Sequence, residues 1–318
     1  MSTGGDALSW MERHQVALYL AALALGAVVG LALPQRAGAF EAAVTPVLVA
    51  LLYATFLGVP MARLRAAFTD GRFMAAILVV NFLIAPLVVL VLLRPLADAP
   101  ALLVGVLLVL LAPCVDYVMV FTRLAGGAWS RTLAASPVLM LLQILMLPLW
   151  LTALAGGAAI SWRPFAWAFL LMILIPLGLS VLTRWAADRR RWAAGLQAGA
   201  TALMVPLMMA TLATVVASQV DAVSAHPGLL ARVLPIYLLY ALIMPAVGEG
   251  VGRLLGQGAA SRLALAFSGT TRNSLVVLPL ALALPRGLEP AAIVVVAQTL
   301  VELVVMVAYT RLLPRLIR

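Results

Sequence analysis

The sequence of 318 residues contains no lysine, two histidines and a single cysteine, and only 10% of it is charged. Each scarcity removes a class of reading. A soluble domain carries about 25% charged residues. A chain that is 65% hydrophobic is therefore read as an integral membrane protein, with the lipid bilayer as its first partner. One thiol, Cys114, excludes an internal disulfide. His14 and His226, both at the edges of apolar runs, do not make a His/Cys metal cluster. Paired histidines, an acidic metal motif and a Ser/His set are all missing, which argues against an enzyme, and no cofactor is expected. No ATP-binding motif is visible either. The stretch MSTGGDALSWMERH has no positive leader followed by a short apolar core and a cleavage site, so no signal peptide is expected. The net charge of +10 comes entirely from arginine. Because these arginines fall mostly between apolar runs, they are read as topology signals and not as a nucleic-acid patch.

What is present is apolar length. A bilayer-spanning helix needs about 20 residues, so the chain has room for about ten. Breaks at Arg, Pro and Gly place the spans near 14–33, 42–60, 73–93, 100–122, 132–155, 164–184, 193–217, 229–251, 261–284 and 290–312. Fifteen arginines, among them Arg63, Arg123, Arg189, Arg262 and Arg315, fall at the two termini and on the even-numbered connections. Five fall on the other side: Arg36, Arg94, Arg163, Arg232 and Arg286. The positive-inside rule then predicts a multi-pass protein of the cell inner membrane with both termini in the cytoplasm.

The chain also repeats itself. Residues 48–59 (LVALLYATFLGV) align with 204–215 (MVPLMMATLATV), matching Ala54 to Ala210 and Thr55 to Thr211. NFLIAP at 81–86 aligns with YALIMP at 240–245, and Gln143 with Gln298, at offsets of 155 to 159. The expectation is an all-α transporter-like fold: repeat one over 14–155 and repeat two over 164–312, each of five spans. An odd number of spans inverts the second copy.

The fourth and ninth spans look broken at corresponding places. In APCVDY, Pro113 removes a backbone donor. In SGTTRNS (268–274), Gly269 and small hydroxyl residues interrupt the helix. Such breaks line a cavity near the midplane in transporters. Asp116 and Arg272 sit nearest the centres of these spans. Each would cost about 3 kcal/mol if it faced lipid, so each is expected to face the other or a substrate, either as a structural ion pair or with Arg272 supplying fixed positive charge in the place of a coupling cation while Asp116 balances it or takes up a proton. Cys114 is either an apolar filler or a soft ligand whose reactivity positive charge would raise. Thr271 and Asn273, which flank Arg272 in the same break, are candidate substrate-binding residues together with Cys114, Asp116 and Arg272. Glu302, deep in QTLVELVVMVAY, shares a helical face with Gln298 and Tyr309 and is a proton-carrier candidate. Asn81, Gln143, Thr55 and Thr211 are supporting polar residues expected to bond between helices. Glu249 is expected to be solvated at a helix end.

PCVDYVMVFTRLAGG (113–127), LLQILMLPLWL (141–151), TTRNSLVVLPLALALP (270–285) and QTLVELVVMVAYTRLLPRL (298–316) together resemble the arsenite efflux permease branch of the bile acid/sodium symporter superfamily. The resemblance spans essentially the whole chain. It implies panel-type helices 1, 2, 6 and 7 and core-type helices 3–5 and 8–10, with the fourth and ninth spans crossing at their breaks. It also implies efflux of arsenite or antimonite in exchange for protons, with Cys114 touching the metalloid and Glu302 carrying the proton. The chain departs from the branch at Pro113, where many members carry arginine, and at Asp116 and Arg272, normally uncharged. Sodium symporters of the superfamily place Glu and Gln where this chain has Ser268 and Arg272. A guanidinium 4 Å from a sodium ion repels it by about 4 kcal/mol at an effective dielectric of 20, so protons are expected ahead of sodium. The alternative is an organic anion transporter of the same fold, sodium- or proton-coupled, with Arg272 holding a carboxylate. A monomer or a homodimer fits either reading.

Overall fold

The computed structural model describes residues 10–11, 14–58, 70–115, 118–154, 170 and 174–318. In chain order the helices are α1 (Gln15–Ala32), α2 (Ala37–Gly58), α3 (Gly71–Leu92), α4 (Pro100–Leu110), α5 (Val118–Leu124), α6 (Trp129–Leu154), α7 (Ile175–Ala187), α8 (Arg191–Ala202), α9 (Met204–Ala225), α10 (Pro227–Leu254), α11 (Ala259–Thr270), α12 (Ser274–Leu282) and α13 (Pro290–Leu316). The described residues include no β-strand. They fall into two compact units, residues 1–59 with 162–226 and residues 60–161 with 227–318.

In the first unit α9 packs along both α1 and α2. Small residues permit the approach: a Cβ on Gly26 would stand 2.5 Å from the Ala213 carbonyl oxygen, and one on Gly30 2.6 Å from that of Ala217. The two glycines, four residues apart, share one face of α1. Backbone-close packing of this kind associates helices where lipid competes for apolar side chains. Tyr53 and Thr183 share a hydrogen bond of 2.7 Å between α2 and α7. The chain bends by 49° between α8 and α9, where Pro206 has no N–H to offer the Ala202 carbonyl.

In the second unit α3 widens into a π turn over Val79–Ile84. Pro86 cannot donate to the Phe82 carbonyl, and the Ala85 N–H reaches back five residues to Val80 instead. The turn carries Asn81 into full burial. Close backbone contact recurs here: a Cβ on Gly248 of α10 would lie 2.6 Å from the Ala266 backbone of α11, and one on Gly105 of α4 2.9 Å from that of Ala291 on α13. Ion pairs mark helix ends. Arg131 meets Asp70 at 2.9 Å, and Glu249 meets both Arg253 and Arg262 at 2.6 Å. Glu249 is therefore not the solvated carboxylate expected; its side chain is 15% exposed and ties the end of α10 to α11.

Among the described residues, five helices are long and apolar enough to cross a bilayer: Pro34–Gly58, Gly71–Leu92, Trp129–Leu154, Pro227–Leu254 and Pro290–Leu316. The bent α8–α9 pair makes a sixth if it is one span. Each of α4, α11 and α12 is shorter than a bilayer requires, because each stops at a break. Exposed leucines and valines recur every fourth residue, as at Leu83, Leu87 and Val91 or Leu141, Leu145 and Leu149, while Asn81, Gln143, Arg272, Gln298 and Glu302 are buried. Apolar side chains outward and ionisable ones inward is the arrangement of a multi-pass membrane protein.

Candidate functional site

The site is built where two helices stop. Pro113 ends the hydrogen-bond ladder of α4 and disfavours helical backbone at Ala112. On the other side α11 stops at Thr270, Thr271 is extended (φ −81°, ψ 132°), and Asn273 caps α12 by accepting the Val276 N–H at 3.3 Å. Backbone groups released at such breaks need partners away from water. Here they satisfy one another: the Cys114 N–H donates to the Thr271 carbonyl at 3.2 Å and the Asn273 N–H to the Ala112 carbonyl at 2.8 Å. Pro113 thereby faces Arg272 in an isolated antiparallel bridge. Thr270 and Thr271 close the end of α11 by donating their hydroxyls to Ala266 and Phe267 at 2.7 and 2.6 Å. The breaks singled out in the sequence thus meet, Ala112–Cys114 against Thr271–Asn273.

Arg272 lies at the centre with no exposed surface. Its Nη2 donates to Asn81 Oδ1 at 3.1 Å and to the Gly269 carbonyl. Its guanidinium carbon stands 5.1 Å from the centroid of the Tyr240 ring, a cation–π contact worth about 2 kcal/mol when desolvated. Asn81 is held by donating Nδ2 to the Ile77 carbonyl at 2.9 Å and to Ser268 Oγ at 3.0 Å. Tyr240 also donates its hydroxyl to Gly269 at 2.9 Å. Position 269 is glycine because a Cβ would meet Val80 Cγ1 at 2.8 Å.

Glu302 approaches the break from α13. Its Oε2 accepts the Arg272 backbone N–H at 2.8 Å and also a hydrogen bond from Gln298 Nε2, one turn earlier. Gln298 Oε1 has no partner among the described residues. Gln298 and Glu302, with Tyr237, Tyr240, Thr270 and Met306, line a cavity of about 10 Å³, room for one water. Tyr309, on the same face by spacing, donates instead to the Ala241 carbonyl at 2.8 Å.

Cys114 is fully buried. Its backbone partner, Thr271, also meets the Met306 thioether at 3.5 Å. Asp116 lies outside the described residues. Gln143 is buried on α6, but its Oε1 has no hydrogen-bond partner among the described residues. Thr211 was expected to bond between helices; it donates within its own helix, to Leu207 at 2.8 Å. The side chain of Thr55 is outside what is described.

Two parts of this cluster escaped residue-by-residue reading of the sequence: the Tyr240 ring and the Met306 thioether. A signal for Tyr240 existed. NFLIAP aligned on YALIMP sets Tyr240 opposite Asn81, and both touch Arg272.

Residues 45–226 match the Sodium Bile acid symporter family. No curated protein matches the chain. With more than half of its length matched, and with buried polar groups gathered at two helix breaks of a multi-pass helical fold, the chain belongs to the Sodium Bile acid symporter family, whose members are transporters and not enzymes.

Proposed function

We propose that the chain is a secondary transporter that exports trivalent arsenite or antimonite in exchange for protons, through the crossing of the two broken segments. Ten spans in two inverted repeats, with both termini cytoplasmic, complete this reading. Residues 1–59 with 162–226 act as the panel-type unit, and residues 60–161 with 227–318 as the core-type unit. The bridge between Pro113 and Arg272 supports the repeat, since its partners are 159 positions apart, the offset that also relates NFLIAP to YALIMP.

The observation that carries the reading is the bond from the Arg272 N–H to Glu302. An ionised Glu302 accepts from the break and from Gln298 together. A protonated one is a weaker acceptor and no longer opposes the guanidinium charge, so taking up a proton loosens the crossing. A proton thus acts at the same joint that a substrate must open, because the cavity beside Glu302 holds no more than a water.

Cys114 supplies the soft ligand that trivalent arsenic favours. Arsenous acid exchanges one hydroxyl for the thiolate sulfur; the thiol proton leaves with that hydroxyl as water, and the reverse step releases the cargo. A single sulfur keeps the bond exchangeable. The neighbouring polar groups, Thr271, Asn273 and Arg272, hold the remaining hydroxyls.

Everted membrane vesicles test this. Arsenite should accumulate under a pH gradient in the absence of sodium, and Cys114→Ala and Glu302→Gln should each abolish accumulation; unchanged accumulation in both variants overturns the reading. In the organic anion alternative the Arg272 guanidinium holds a carboxylate. In that case organic acids, and not arsenite, would be carried.

A further inference from the structure

Among the described residues, the groups that meet the Arg272 guanidinium are ones that would also suit a metal cation. The guanidinium is met by a backbone carbonyl oxygen at the end of a helix, by a side-chain amide oxygen and by the face of an aromatic ring: Gly269, Asn81 and Tyr240. All three are neutral groups that present negative potential, and carbonyl and amide oxygens are what hold desolvated monovalent ions. The Gly269 carbonyl lies in the last turn of α11, where the helix dipole is negative. The orientation of Asn81 is determined independently of Arg272. Its Nδ2 is engaged by Ile77 and Ser268, which leaves Oδ1 as the atom that faces inward.

We propose that Arg272 is a tethered cation that replaces a coupling sodium ion, so that its guanidinium permanently fills an oxygen-lined site and makes transport independent of sodium. Two unit charges at 4 Å in a medium of effective dielectric about 20 weaken each other's binding roughly a thousandfold, so the site does not take sodium as well. A cation on a side chain cannot leave with the cargo. The movable charge is then the proton on Glu302, whose carboxylate touches the same residue through the backbone. The inference rests on this cluster being the coupling site and not on which substrate is carried.

The test needs no substrate. Thermal unfolding of the full chain in detergent is compared in sodium chloride and in choline chloride at equal ionic strength, for the wild type, Arg272→Lys, Arg272→Gln and Arg272→Gly. The wild type and Arg272→Lys should unfold at the same temperature in both salts. Arg272→Gln should gain a saturable upward shift of several degrees in sodium, and Arg272→Gly should respond likewise to sodium or to low millimolar guanidinium. A variant recovered as a monodisperse protein only with sodium or guanidinium also supports the proposal. Stabilisation of the wild type by sodium over choline overturns it. So does indifference of both neutral variants to the two cations, or failure to recover them in any salt. Arsenite transport failing in vesicles while these shifts appear would reject the substrate and keep the tethered cation.

Discussion

Glu302 reaches Arg272 through the backbone, its carboxylate accepting the arginine N–H at 2.8 Å. The last helix therefore bears directly on the break between α11 and α12, and a change of charge at position 302 alters the main chain of the crossing itself.

Two substitutions at this position should separate folding from coupling. Glu302→Gln retains an oxygen for the Arg272 N–H but, like the protonated acid, carries no charge and has no exchangeable proton, so it should lose less stability than Glu302→Ala while proton-driven flux is lost. Glu302→Ala leaves a buried N–H and the Gln298 amide without their acceptor. It should lower stability by about 1 to 3 kcal/mol, read from thermal unfolding in detergent.

Tyr240 holds the same cluster by two means, and they can be taken apart. Tyr240→Phe removes the hydroxyl bond to Gly269 and should lose about 1 kcal/mol. Tyr240→Leu also removes the ring beneath the guanidinium and should lose at least about 1 kcal/mol more. Equal unfolding temperatures for the two variants would show that the ring contact adds nothing.

In the first unit the packing of α1 on α9 leaves no room for a side chain at Gly26, where an added Cβ would stand 2.5 Å from a carbonyl oxygen. Gly26→Ala should destabilise by about 1 to 3 kcal/mol, whereas Gly38→Ala, which meets nothing within 4 Å, should not. Thermal melts of the two variants side by side make the comparison.

At the surface, Arg232 holds the Asp98 carboxyl below its ordinary range, chiefly through its side-chain hydrogen bond. A depressed folded-state pKa contributes stability above the unfolded value, and that contribution disappears as pH falls through the folded value. The difference in unfolding temperature between wild type and Asp98→Asn should be small at neutral pH, shrink as pH drops below about 4, and be reduced by salt.

Much of this was legible in the sequence because hydrocarbon makes strict demands. Pro113 and the SGTTRNS run announced breaks, since carbonyl and N–H groups left unpaired in lipid need new partners, and those partners turned out to be in the other break. Asn81, Arg272, Gln298 and Glu302 stood out because a polar group among apolar residues must face inward. What was not legible depends on direction. Spacing alone put Tyr309 with Glu302, but the hydroxyl at the end of a long side chain found the Ala241 carbonyl instead. Glu249 looked like a solvated helix end because the sequence does not show that Arg262, thirteen residues on, folds back against it. Thr211 gave no sign that its hydroxyl would bond its own helix, the usual competitor for short hydroxyl side chains.

Proton movement through the crossing is the central step of the proposed transport, and dye-monitored pH inside sodium-free proteoliposomes reads it directly. Adding arsenite should move protons across the membrane with the wild type, and should move none with Glu302→Gln or Cys114→Ala. Proton movement that persists in either variant, or a wild type that stays silent until sodium is supplied, would contradict it.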